Sequence, residues 1–248
     1  MAIILITGAT SGIGEALAKR CANEGHTVIA CGRNNEKLAE LAQIKNITTC
    51  RFDVTDETAT KEALAPIKCD IAVLNAGTCE YVDVNNVEPD MFKRVFDANV
   101  FGVINVVSAL IPVLKSGNKI VFVDSLARLL PFPKSQAYGA SKAALNYIAK
   151  SFEVDLAYKG IEVQTLSPGF VKTPLTDKND FPMPMVISAE VAADYMLRGI
   201  LSTRSSVYFP RRFSLMIRLL NLLPEGLQKK ICINMRQKPK KRENTPND

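Results

Sequence analysis

The sequence of 248 residues contains no tryptophan, one histidine and six cysteines. The single imidazole, His26 in Glu24-Gly25-His26, reads as a surface turn residue. Cys21, Cys31, Cys50, Cys69, Cys79 and Cys232 form no C-x-x-C pair, which with a single histidine argues against a His/Cys metal site. Most of these thiols fall in apolar runs, where burial as small hydrophobes is expected. No segment reaches the roughly 18 apolar residues that a spanning helix requires. Met1 is followed almost at once by Ile3-Ile4-Leu5-Ile6 and a glycine cluster, which leaves no basic leader and no cleavage signal. These absences predict a reduced, cytoplasmic, metal-free protein. With 47% hydrophobic residues, the chain can bury one large core.

Acidic residues run short at one end only. Residues 204–248 hold eleven of the 31 Lys and Arg but three of the 25 Asp and Glu, leaving 20 bases against 22 acids in residues 1–203. The net charge of +6 therefore belongs to the tail and does not indicate a nucleic-acid partner for the main domain. No internal repeat is evident. The one compositional break, near Pro210, divides the chain into a domain over 1–209 and an amphipathic basic extension over 210–248.

Short β-rich runs near 2–6, 27–31, 47–51, 71–75, 119–124, 162–167 and 206–209 alternate with helical patterns near 12–24, 35–43, 56–65, 89–115, 136–158 and 188–202. This alternation predicts an α/β fold, a doubly wound, Rossmann-like parallel sheet of about seven strands with ligands at the strand carboxyl ends. The first strand runs into Thr7-Gly8-Ala9-Thr10-Ser11-Gly12-Ile13-Gly14. Gly8 permits the tight turn, Gly12 lets backbone approach a pyrophosphate, and Gly14 lets the helix sit close on the sheet. The helix N-terminus, entered through Thr10, Ser11 and Ile13, attracts the anion. Strand followed by glycine turn followed by helix is the context that makes the pattern a dinucleotide site.

The second strand ends at Cys31-Gly32-Arg33-Asn34. An acid there would hold the ribose diol of NAD; Arg33 can instead grip the 2′-phosphate of NADP, although it could also stack on the adenine of NAD. Asp53-Val54 ends the third strand beside the adenine position, and Asn75-Ala76-Gly77 closes the fourth where backbone passes the cofactor. Asn99 lies on the inward stripe of the helix from Pro89 (Phe92, Val95, Phe96, Val103, Val106, Leu110). It is either a clamp between strands or part of a polar relay. Ser125 ends the fifth strand. Thirteen residues on, Tyr138-Gly-Ala-Ser-Lys142 places a phenol and an ammonium one helical turn apart, where the cation favours the phenolate and brings its pKa toward neutrality. Ser167-Pro168-Gly169 ends the sixth strand and Thr173 follows.

Together, Thr7-Gly8-x3-Gly12-x-Gly14, Asn75-Ala76-Gly77, Asn99, Ser125, Tyr138-x3-Lys142 and Pro168-Gly169-x3-Thr173 resemble the short-chain dehydrogenase/reductase family, in its shorter single-domain branch, over about residues 2–203. The resemblance implies that Tyr138 is the general acid/base, and that Lys142 lowers its pKa and binds the nicotinamide ribose. Ser125 would hold the substrate oxygen and Asn99 carry a proton relay through water. Pro168, Gly169 and Thr173 would border the nicotinamide, and pairing through the helices near 89–115 and 136–158 would give homodimers or homotetramers. Asp124 before Ser125, and Arg128 in Ala127-Arg128-Leu129, depart from the family pattern. They would recognise polar groups of a substrate or pair with each other.

The expected activity is hydride transfer between NADP(H) and a small-molecule carbonyl or alcohol. Leu175, Phe181, Met183, Met185 and Val186, with Pro182 and Pro184, suggest either an apolar lid over a lipophilic substrate or ordinary packing. A sugar-nucleotide epimerase or dehydratase shares the Tyr and Lys chemistry but needs a large C-terminal substrate domain. A non-enzymatic NADP-binding protein held by its tail is a further alternative. In that tail, Phe213 to Leu223 leaves Ser214, Arg218 and Asn221 as one narrow polar stripe and is too short to span a bilayer. With Leu227 to Met235 and the basic run Arg236 to Arg242, residues 210–242 would lie at the inner face of an anionic membrane, close the protein's own pocket, or form a dimer contact.

Overall fold

The computed structural model describes residues 1–177, 179 and 183–235. Seven strands form one parallel sheet in the order β3-β2-β1-β4-β5-β6-β7: β1 (Ile3–Thr7), β2 (Thr27–Gly32), β3 (Ile47–Arg51), β4 (Ile71–Leu74), β5 (Lys119–Val123), β6 (Glu162–Pro168) and β7 (Ser206–Phe209). The order reverses between β1 and β4, which makes that junction the switch point of a doubly wound sheet. Alternation along β1 divides the core. Ile4 and Ile6 pack with Leu17, Ala18 and Cys21 of α1 (Gly12–Asn23) and with Met196 and Ile200 of the later helix Ala189–Ile200, while Leu5 faces the opposite layer with Phe122, Leu145 and Ala149.

Side-chain caps open some of the helices. Asn34 accepts from the Lys37 N–H to open α2 (Asn35–Ala42), and Asp56 accepts from the Ala59 N–H to open α3 (Glu57–Leu64). The long helix expected over 89–115 is interrupted. α4 (Pro89–Phe96) passes into a π-turn, Asp97–Phe101, before α5 (Gly102–Leu110), and Pro112 prevents extension beyond Ile111. A wide turn turns one extra residue inward, and here it buries Asn99 while Gly102 sits so close to Val54 that a Cβ would stand 2.8 Å from its Cγ2. Then follow α6 (Gln136–Leu156), α7 (Ala189–Ile200), α8 (Arg211–Asn221) and α9 (Glu225–Asn234).

The tail divides its apolar residues differently from the expected single polar stripe. Ser214 is buried and bonds back to the Arg211 carbonyl at 3.0 Å. Phe213 and Ile217 of α8, with Cys232 of α9, pack on Leu126 and Leu130, so the tail covers one end of the molecule's own cleft. Phe181, Pro182 and the basic run Arg236 to Arg242 lie outside the described residues. Among the described residues, no helix is long and apolar enough to cross a membrane.

Two glycine substitutions should have opposite signs. A Cβ on Gly14 would overlap the Gly8 carbonyl oxygen and stand 2.6 Å from Asn75 Nδ2, whereas one on Gly226 meets nothing within 4 Å. Urea unfolding of Gly14→Ala should show a loss of about 3 kcal/mol, from backbone that must move. Gly226→Ala on exposed α9 should be neutral to stabilising by about 0.5–1 kcal/mol.

Candidate active site

Register brings three strand ends level: Ile6 pairs with Val73, and Val73 with Val121. The loops after β1, β4 and β5 therefore leave the sheet side by side. Thr7 Oγ1 accepts from the backbone N–H groups of Asn75 and Ala76, each at 3.0 Å, and Asn75 Nδ2 donates to the Thr7 carbonyl at 3.1 Å. These bonds tie the glycine turn to Asn75-Ala76-Gly77. Gly8 has φ +67°, with Ala76 Cα 2.9 Å from where a Cβ would be, and a Cβ on Gly77 would stand 2.7 Å from Asn99 Oδ1. The result is a cradle of backbone with no room for side chains.

The first turn of α1 faces a groove of about 540 Å³ lined by Thr10, Ser11, Gly12 and Thr173. Ser11 makes no side-chain cap, so the N–H groups of that turn remain available to an anion. The open donors, the helix dipole and the glycine cradle fit the pyrophosphate of a dinucleotide. Arg33 is exposed at the end of β2, with Nη1 3.0 Å from Asp53 Oδ2. Burial raises the Asp53 pKa, but hydrogen bonds from Thr55 and Arg33 outweigh it and hold the carboxyl below its usual range. Ile13 packs in part against the α1 core layer and Val54 against Gly102, both half-buried. Pro168 ends β6. Gly169 donates to the Phe209 carbonyl at 2.8 Å, and a Cβ there would meet Phe213 Cδ1 at 2.7 Å.

Ser125 opens the short 3-10 turn Leu126–Arg128, accepting from the Ala127 N–H at 3.1 Å, and its hydroxyl also hydrogen-bonds with Tyr138. Tyr138 stands in the first turn of α6. Lys142, one turn further, is buried behind it; Nζ donates to the Val123 carbonyl at 2.9 Å and lies 5.9 Å from the Tyr138 ring centroid. The structure thus joins Ser125, Tyr138 and Lys142, and burial acts against the expected lowering of the Tyr138 pKa. Burial pushes the Tyr138 phenol well above its ordinary value, Cys79 adds to this, and the Ser125 hydrogen bond offsets only part. Burial likewise lowers Lys142 to about 8, against the opposing charges of Asp124 and Cys79.

Asn99 has the geometry of a clamp. Its Oδ1 accepts from the Thr78 N–H at 2.7 Å, and Nδ2 donates to the Thr78 carbonyl and to Ser141 Oγ, each at 2.9 Å. Ser141 in turn donates to the Tyr138 carbonyl at 2.7 Å. Asp124 and Arg128 pair with each other: Arg128 Nε lies 2.7 Å from Asp124 Oδ2, which Asn146 Nδ2 also reaches at 2.7 Å. Burial raises the Asp124 pKa, and the Arg128 charge is the first influence opposing it. Neither side chain lines the cavity.

That cavity, about 1370 Å³, has Ser125 and Tyr138 on its wall together with Phe170, Phe213 and Ile217. Of the apolar stretch after Thr173, Leu175 and Pro184 reach it, while Met185 and Val186 face outward. Sequence reasoning missed Cys79 and Tyr81, which line the same cavity next to Tyr138; they sit in an irregular loop without periodicity. Ser141 was legible only as a member of the Tyr138-to-Lys142 segment.

A doubly wound parallel sheet with a glycine turn at its switch point and a Ser-Tyr-Lys cluster above β5 defines an oxidoreductase of the Rossmann type. The family model described as short chain dehydrogenase matches residues 2–182, and the chain belongs to that family. It is 34% identical over 235 residues to an uncharacterised oxidoreductase of Myxococcus xanthus, covering 90% of this chain and 93% of that protein. It is 37% identical over 203 residues to a 3beta-hydroxysteroid dehydrogenase of Mediterraneibacter gnavus, covering 77% and 73%. Among solved structures, the closed form of a serine dehydrogenase complexed with NADP+ superposes with a TM-score of 0.76 at 25% identity, over 84% of this chain and 94% of that one.

Arg128→Met should cost about 3–5 kcal/mol near neutral pH, because it strands Asp124 as a buried carboxylate. Burial raises the folded-state pKa of Asp124 above its unfolded value, so the native state holds the extra proton and the penalty falls as pH drops below that raised pKa. Urea titrations across the acid range should show the deficit shrinking, and Asp124→Asn/Arg128→Met should recover most of it.

Proposed function

We propose that the protein is an NADP(H)-dependent carbonyl reductase or alcohol dehydrogenase acting on a lipophilic substrate. The observation that carries this reading is the position of Ser125 and Tyr138 together on the wall of a large cavity with Phe170, Phe213 and Ile217 around them. The cavity exceeds the roughly 300–1,000 Å³ usual for small ligands, which suits a bulky apolar molecule. The names of the relatives diverge, one a steroid dehydrogenase and one a serine dehydrogenase, so the lining decides. An NADP complex of the latter, and Arg33 where an acid would favour NAD, support NADP as the cofactor.

Bound NADPH would supply hydride to the carbonyl carbon. Ser125 Oγ donates to the carbonyl oxygen, and Tyr138 Oη delivers the proton. Burial keeps the phenol protonated at neutral pH, the form that a proton donor in the reductive direction requires. Lys142 holds the nicotinamide ribose and keeps a positive charge behind the phenol. Asn99 sustains the proton relay through water besides clamping the loop after β4. Gly8, Thr10, Ser11, Gly12, Gly14, Asn75, Ala76 and Gly77 hold the phosphates and inner ribose, with Pro168, Gly169 and Thr173 at the nicotinamide. Tyr147, Val154 and Tyr158 form one exposed stripe along and just beyond α6, the surface we assign to homodimer or tetramer pairing.

Tyr138→Phe should lower kcat by about 10²–10⁴ with NADPH binding retained, while Lys142→Ala loses both. Residual turnover above about a tenth would remove Tyr138 from the acid role. Fluorescence titration of Arg33→Asp should move the NADPH/NADH affinity ratio more than about tenfold toward NADH. With Lys142 lowered to about 8, reductive kcat/KM for NADPH should be level below that pH and fall above it, as the ammonium deprotonates. A profile level well past that value would take Lys142 out of the mechanism.

A further inference from the structure

We infer that the outer face of α8 and α9 docks on an anionic lipid bilayer, with the mouth of the substrate cavity opening toward the lipid. Only the direction of substrate entry rests on the lipophilic-substrate reading. Along α8, Phe213, Ser214 and Ile217 turn inward, which leaves Leu215, Leu219 and Leu222 at i, i+4 and i+7 on the outside, 58%, 56% and 80% exposed. A surface helix ordinarily sets polar residues there. Arg211 lies one turn before Leu215 on the same stripe, Arg212 is adjacent, and α8 carries no acid. Exposed Leu227 of α9 continues the apolar surface beside Lys229 and Lys230. Met216, Ile233 and Met235 are both solvent-exposed and part of the cavity lining, so both helices also set exposed apolar residues at the rim of the cavity.

Charge selects the occupant. Exposed leucines flanked by Arg211, Arg212, Lys229 and Lys230, with Glu225 the one acid in α8 and α9, suit the interface of an anionic bilayer, where apolar side chains enter the headgroup boundary and each nearby Lys or Arg strengthens binding about fivefold. Past Met235 the sequence supplies five more cations, Arg236, Lys238, Lys240, Lys241 and Arg242. A second copy meeting this face across a two-fold axis would set the same cations against themselves. The exposed stripe of α6, Tyr147 and Val154, is flanked by both signs, with Lys150 paired to Glu153, and is the better self-contact.

Co-sedimentation with vesicles of about three parts phosphatidylcholine to one part phosphatidylglycerol tests the inference. Full-length protein should bind, more weakly on phosphatidylcholine alone and at high salt. Leu219→Asp/Leu222→Asp replaces two leucines outside the cavity lining. It should keep the thermal melt, NADPH binding and turnover of a short water-soluble carbonyl, yet bind vesicles at least about tenfold more weakly. Failure of the wild-type protein to sediment, or equal sedimentation of wild type and variant, overturns docking. So does gel filtration in which the variant only splits a dimer while neither protein binds vesicles, which would assign the face to a second copy. Sedimentation needs no turnover. Vesicle binding without activity on long-chain ketones would therefore keep the docking surface and remove the lipophilic-substrate reading.

Discussion

Thr7 and Asn75 join the two strands between which the sheet reverses its order, and the rest of the site depends on that junction. One hydroxyl accepting two backbone N–H groups, with the Asn75 amide returning a bond to the Thr7 carbonyl, satisfies donors that strand pairing leaves behind where β1 and β4 end. It also holds the glycine turn against the loop after β4 so closely that Gly8 admits no side chain. The close backbone approach that a pyrophosphate requires follows from hydrogen bonding between strand ends.

The second constraint is buried charge. Lys142 and Asp124 both lie within the protein at the end of β5, and each is compensated locally, Lys142 by the Val123 carbonyl and Asp124 by Arg128 and Asn146. The same burial shifts Lys142 down and Tyr138 up, the directions in which desolvation moves an ammonium and a phenol. Arg128 extends the network outward: its guanidinium lies 5.9 Å from the Tyr208 ring centroid, and Arg218 of α8 lies 4.6 Å from it. A chain of contacts therefore runs from the base of Ser125 to the tail.

The tail is consequently part of the cavity wall. Gly169, at the end of β6, has no Cβ where Phe213 packs, and the inward residues of α8 complete an apolar enclosure begun by Leu126 and Leu130. The composition break at Pro210 marks a change of role within the chain rather than the edge of the packed body.

Local order along the chain was enough for the seven strands, the glycine turn, and the presence of Asn99, Ser125, Tyr138 and Lys142, because strand and helix periods and turn chemistry are written in neighbouring residues. The π-turn was not legible, since it arises where Asn99 meets Thr78 and Gly102 meets Val54, contacts made across the fold. The mutual pairing of Asp124 and Arg128, the inward turn of Ser214, the cavity residues Cys79 and Tyr81, and the direction of the Tyr138 shift were likewise decided by tertiary structure. The physical reason is the same for each: burial and partners are properties of space around a side chain, and sequence spacing specifies only which residues can reach a site, not how much water remains when they arrive.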